Sequence, residues 1–133
     1  AHLLQAIYEG VVFSHMTHLN RMRERFTDVH TLRVTGGPAH SDVWMQMLAD
    51  VSGLRIELPQ VEETGCFGAA LAARVGTRVY RDFSEAQRDL QHPVRTLLPD
   101  MAAHQLYQQK YQRYQHLIAA LQGYHARIKE HTL

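Results

Sequence analysis

At 133 residues, with 45% hydrophobic and 20% charged content, the sequence is long enough for one domain with its own core and too apolar for a wholly disordered chain. Its 14 basic and 13 acidic residues nearly cancel, which disfavours nucleic acid or an anionic membrane as partner. Cys66 is the single cysteine, which excludes an internal disulfide framework and fits a reducing, cytoplasmic compartment, and no apolar run approaches the roughly 20 residues of a membrane span.

Residues 2–25 read as a helix, with Leu4, Ile7, Val11, His15 and Leu19 recurring at three- and four-residue steps between polar positions. Gly10 inside it suggests close approach to another backbone. The segment opens as helix interior, without a capping residue, so the chain is expected to be a fragment. Residues 31–35 read as a buried strand that runs into Gly36-Gly37-Pro38. Pro38 fits a first helical turn, and the helix through Val51 is predicted to set Val43, Met47 and Val51, with Trp44 and Leu48 beside them, on one face before ending near Gly53.

Leu54 to Leu58 alternates apolar and charged residues as a strand does, and Pro59 closes it. Strand, helix, strand over this length predicts a parallel pair. Residues 65–75 form a third helix of small residues suited to close packing, with its bulk in Phe67, Leu71 and Val75. From Gly76 to Pro99 the chain shows turn residues and a short helix over 84–90, where Ser84 can cap with Gln87 three positions on. Asp100 to about Lys129 is a long helix with Tyr107, Tyr114, Leu121 and Ile128 at seven-residue steps, supported by Tyr111, Leu117, Ile118 and Tyr124. Two strands are too few for a parallel sheet, so the others come either from chain before Ala1 or from another molecule.

The strand, glycine pair and helix carry the candidate chemistry. Gly36 and Gly37 admit close backbone approach, and donors at a helix start would face an anion there. The dinucleotide fingerprint and the Walker lysine are both missing, so dehydrogenase and P-loop readings are disfavoured, and such a glycine pair taken alone is usually only a tight turn.

These residues, with Gln46, Ala49 and Asp50 of a glutamine-x-x-alanine-aspartate pattern, resemble the C-terminal domain of the FGGY family of carbohydrate kinases. Leu58-Pro59 through Glu63, then Gly68-Ala69-Ala70-Leu71-Ala72, resemble that family's glutamate and Gly-Ala-Ala helix, and Glu9-Gly10 and the tyrosine-spaced last helix are also similar. The resemblance spans most of residues 1–125 in order. It implies an α/β, actin-like, ribonuclease-H-like domain with an incomplete sheet and several packed helices. Residues 1–133 would then be the nucleotide-binding C-terminal part of a sugar kinase, lacking the domain with the sugar site and the catalytic base.

The activity implied is transfer of the γ-phosphoryl of ATP, with Mg2+, to a hydroxyl of a sugar, a ketopentose foremost. The segment alone should be inactive. By the same resemblance Gly37 would present its backbone near the nucleotide α-phosphate, Gly36 would support the turn, and Ser41 would sit beside adenine or ribose. Gln46 and Asp50, four apart on one helical face, read as structural, and Glu63 reads as a cap of the small-residue helix.

His15 and His18 lack the companions of a metal site, Cys66 reads as a small core residue, and the tyrosine stripe reads as packing. Apolar surface left by absent strands is compatible with a homo-oligomer. A noncatalytic helical interaction module with a structural Gly-Gly turn is the alternative.

Overall fold

The computed structural model describes residues 2–61, 63–89 and 94–131. Helix α1 (His2–Arg25) occupies the predicted span, but its packed face is Val12, Phe13, Met16 and Leu19. Leu4 and Ile7 stay more than half exposed, and His15 is exposed. Phe13 decides the rotation, since its ring is where the tyrosines of the last helix gather. The close approach expected at Gly10 is not there: a Cβ added at that position meets nothing within 4 Å.

Strand β1 (Thr31–Arg33) is short and lies on the sheet's outer side rather than buried, with only Leu32 half-covered. It pairs in parallel with β2 (Arg55–Pro59), Leu32 opposite Ile56, and Val34 extends the pairing by donating to Glu57 O at 2.9 Å. Between them a 3-10 turn (Gly37–His40) precedes helix α2 (Asp42–Ser52), so the single helix expected from Pro38 is divided. Gly53 ends α2 at φ 67°, ψ 17°, a left-handed cap that donates to Ala49 O.

Helix α2 is the centre of the fold. Met47 and Val51 pack with the α1 face and with Tyr111. Met45 and Ala49, on another side, pack on Ile56 and Leu58 of β2. The expected single apolar face is thus two faces, and Val43, placed on it by periodicity, is 72% exposed. The alternation in β2 holds, with Ile56 and Leu58 turned into the core.

Helix α3 (Thr64–Gly76) has no buried residue. Phe67, Leu71 and Val75 are half-covered, while the small residues that promised close packing face outward and Cys66 is exposed rather than in the core. Glu63 stands at the cap position of α3 but its side chain makes no capping bond. In α4 (Phe83–Asp89) the cap is Asp82, which accepts from Glu85 N–H at 2.8 Å, and Glu85 accepts in turn from Arg81 N–H at 2.7 Å. The expected Ser84 and Gln87 pair lies two residues too late, because a carboxylate is the stronger acceptor for those amides. The predicted end of this helix at Leu90 lies outside the described residues.

Strand β3 (Val94–Leu97) arises inside the segment read as turns, and it pairs antiparallel with β2, Leu58 opposite Arg95. The result is a mixed three-stranded sheet in the order β1-β2-β3, so one missing strand comes from this chain. Helix α5 (Met101–His131) opens with Asp100 accepting from Ala102 N–H, and it crosses α1 and α2. Tyr107, Tyr111 and Tyr114 surround Phe13 at ring separations of 6.4, 5.7 and 5.4 Å, which is the packing expected of the stripe. Farther along, Leu117, Leu121, Tyr124 and Ile128 of the same stripe remain exposed.

Candidate functional site

A parallel βαβ unit leaves its ligand crevice at the carboxyl ends of the strands. At that end β1 runs through the exposed Thr35 into Gly36, whose φ of 91° and ψ of −174° fall in a region essentially reserved for glycine. Ala39 N–H closes the turn on Gly36 O at 3.0 Å, and Ser41 N–H closes the next on Pro38 O at 3.1 Å. Pro38 has no amide hydrogen, and Gly37 N–H is donated to no backbone carbonyl among the described residues.

A cavity of about 390 Å³ opens beside this turn, lined by Thr35, Gly36, His40, Asp42, Pro59 and Arg95 among others. A second depression of about 600 Å³ adjoins it, shares Thr35, Pro59 and Val61, and continues toward Phe67 and Leu71 of α3. Together they form a cleft along the carboxyl ends of β1 and β2. A larger groove of about 710 Å³ lies between α1, α2 and α5, where Leu4, Tyr8, Val43 and Met47 alternate with Gln5, Asp42, Gln46 and Asp50, and Gln46 and Asp50 there are already bonded to their neighbours.

Of the three residues singled out, Gly36 forms cavity wall, while Gly37 opens the 3-10 turn and Ser41 caps α2. Ser41 Oγ accepts from Trp44 N–H at 3.4 Å, so one lone pair is directed at the backbone and the hydroxyl hydrogen is left to other acceptors. The expectation that the glycine pair abuts the long helix is corrected. The 3-10 turn sets the start of α2 five residues beyond Gly37, and the dipole of α2 acts at Ser41 and Asp42.

Asp42 and Arg95 were missed by the sequence reading. Arg95 Nη2 donates to Asp42 Oδ1 at 2.6 Å, bridging β3 to the first turn of α2 on the cavity wall. The hydrogen bond and charge of Arg95 hold the Asp42 carboxyl below its ordinary value, and Asp42 raises Arg95 in return. The available signal was the β-prone content of Val94-Arg95-Thr96-Leu97, with β-branched Val94 and Thr96, which reads as a short strand once Gly76 to Pro99 is not treated as turns.

Gln46 and Asp50 behave as the sequence suggested. Gln46 Nε2 donates to Asp50 Oδ1 at 2.8 Å and to Leu98 O at 2.9 Å, and Asp50 Oδ1 accepts from Asp100 N–H at 2.8 Å. The pair ties α2 to the segment between β3 and α5. His15 and His18 are both exposed, and among the described residues no three His, Cys, Asp or Glu side chains converge as a metal site. No helix among the described residues is long and apolar enough to cross a membrane.

Residues 1–77 match the FGGY family of carbohydrate kinases, C-terminal domain. The whole chain is 95% identical to 27% of the L-xylulose/3-keto-L-gulonate kinase of Escherichia coli K12. In three dimensions it is similar to a xyloylose kinase from Brucella ovis, with TM-score 0.77 and 30% identity over 91% of this chain and 25% of that one. A gluconate kinase from Lactobacillus acidophilus gives TM-score 0.77 at 22% identity over 90% of this chain and 24% of that one, a likeness of fold. The chain therefore spans about a quarter of the length of each of these relatives. The actin-like α/β expectation holds, in the form of a partial sheet with packed helices.

Proposed function

Because the chain belongs to the FGGY family of carbohydrate kinases, we propose that it forms the C-terminal nucleotide side of an ATP-dependent sugar kinase, with the cleft beside Gly36 as its share of the ATP/ADP site. The observation that carries this reading is the Gly36–His40 turn at the carboxyl end of β1, where a glycine-only conformation presents backbone to an open cavity. In this reading Gly37 N–H approaches the α-phosphate, Gly36 holds the turn, and Ser41 offers its hydroxyl to the nucleoside. Phosphoryl transfer depends mainly on alignment and neutralised charge, so the contribution of this segment is to fix ATP rather than to move a proton.

The sugar and the catalytic base belong to the remainder of the kinase, and the segment alone does not turn over. The proposed acceptor is a ketopentose, L-xylulose foremost, supported by the 95% identity to the E. coli relative. Mg2+ would arrive on the phosphates of ATP, mostly water-ligated, which suits a segment without a converging acid cluster among its described residues. The compartment is cytoplasmic, where ATP and reduced thiols coexist. The interaction-module alternative has no observation of its own, since its structural Gly-Gly turn does not account for an open cavity at a glycine-only bend.

The test uses Gly37→Val in the full-length E. coli relative carrying this segment. Gly37 lacks the positive φ of Gly36, and an added Cβ meets nothing within 4 Å, so the fold tolerates the branch. The expected result is a KM for ATP raised at least about tenfold with the KM for sugar unchanged. An unaltered KM for ATP would sink the reading.

A further inference from the structure

The Asp42–Arg95 pair is a feature of the cavity wall that the phosphate reading does not use. A polyphosphate seeks donors with no carboxylate beside them, and Arg95 already spends its charge on Asp42 at 2.6 Å. A net-neutral wall of one acceptor and one donor suits the uncharged part of a nucleotide instead. Ribose presents two adjacent hydroxyl donors, and an ionised carboxylate is acceptor-only with two oxygens to offer.

The geometry leaves one of those oxygens available. Arg95 engages Oδ1, and no described residue donates to Oδ2. Asp42 is 69% exposed, lines the same cavity as Gly36, and directly follows Ser41 at the start of α2. Arg95 reaches it from β3, a neighbouring strand, so the carboxylate is held from outside its own helix. Because the guanidinium also keeps the carboxyl below its ordinary value, Asp42 stays an acceptor through mildly acid pH.

We infer that Asp42 accepts hydrogen bonds from the ribose hydroxyls of the bound nucleotide and that Arg95 is the positioning residue that aims its carboxylate into the cavity. This rests on the nucleotide-site reading above. It makes the site selective for ribonucleotides over deoxyribonucleotides, with the discrimination residing in nucleotide binding rather than in phosphoryl transfer.

The experiment measures kcat and KM for ATP, 2′-deoxy-ATP and 3′-deoxy-ATP in the full-length E. coli relative carrying this segment. The parent should favour ATP over at least one deoxy analogue by about tenfold in kcat/KM, the scale of one hydrogen bond to a charged group. Asp42→Ala should reduce that preference to about twofold or less, acting through KM. Arg95→Gln should weaken it and Arg95→Lys should restore part of it, which a merely structural strap would not do. Both side chains are substantially exposed, and the shape-preserving Asp42→Asn gives an intermediate preference.

A parent indifferent to both hydroxyls, or an Asp42→Ala enzyme that keeps the full preference, overturns the inference. Gly37→Val separates the two levels. If that variant binds ATP normally the nucleotide-site reading itself fails, whereas a raised KM there with undiminished preference in Asp42→Ala removes the ribose contact alone.

Discussion

Gly53 joins the site-bearing helix to the rest of the fold, and substituting it has a cost that can be worked through. The residue sits at φ 67°, where an L side chain is strained by roughly 1–2 kcal/mol. A Cβ built there lies 2.8 Å from Cε1 of His104, too close to remain. His104 must then move, and it loses the 2.8 Å bond in which Nδ1–H donates to Asp50 O, about 1 kcal/mol more. Gly53→Ala should therefore destabilise the chain by about 2–3 kcal/mol in urea unfolding followed by circular dichroism. His104→Ala should cost about 1 kcal/mol, and the double variant should fall no further than Gly53→Ala alone, because the same bond is lost once. Strict additivity, or a Gly53→Ala chain as stable as the parent, would refute the contact.

Two further outcomes are expected. Gln46→Ala should cost about 1–2 kcal/mol through its bonds to Asp50 and Leu98 O, with KM for ATP in the full-length E. coli relative unchanged; a raised KM would place Gln46 in the proposed nucleotide site instead. Burial, and next the charge of Glu9, push the Tyr107 phenol above its usual 10, so above that pH the folded chain keeps a proton that the unfolded chain releases. Stability should thus decline as pH rises from 10 through the higher folded value, and Tyr107→Phe should flatten that decline in unfolding curves taken between neutral and alkaline pH.

Elements with strong local signals were legible. The alternation of β2, the glycine stop of α2 and the tyrosine spacing of α5 are each set by residues within a few positions, and the structure keeps them. What escaped depends on partners far along the chain. Leu4 and Ile7 fit a helical stripe as well as Val12 and Met16 do, and only Phe13 meeting Tyr111 and Tyr114 selects the second set. Helix α2 touches helices on one side and the sheet on another, so no single periodicity describes it, and Val43 fell on the wrong side.

The site divided in the same way. Gly36 announced itself by residue type, whereas Asp42 acquires its setting only when β3, four residues long and polar at two of them, carries Arg95 to it. Residue type also misled: glycines and alanines in α3 suggested close packing, yet a Cβ at Gly65 or Gly68 meets nothing within 4 Å.

The way α5 covers α1 has a consequence for how the chain is made. Thr17 and Tyr111 share a hydrogen bond across 94 residues, and Tyr111 belongs to the same core as Val12, Phe13 and Met16. With synthesis at about 5–20 residues per second, those apolar side chains are made roughly 5–20 s before the tyrosine that shields them. For that interval α1 is a sticky amphipathic helix without its lid, the kind of surface that chaperones hold and that crowded nascent chains exchange. Within this segment the order of translation thus sets the apolar face of α1 well ahead of the tyrosine that covers it.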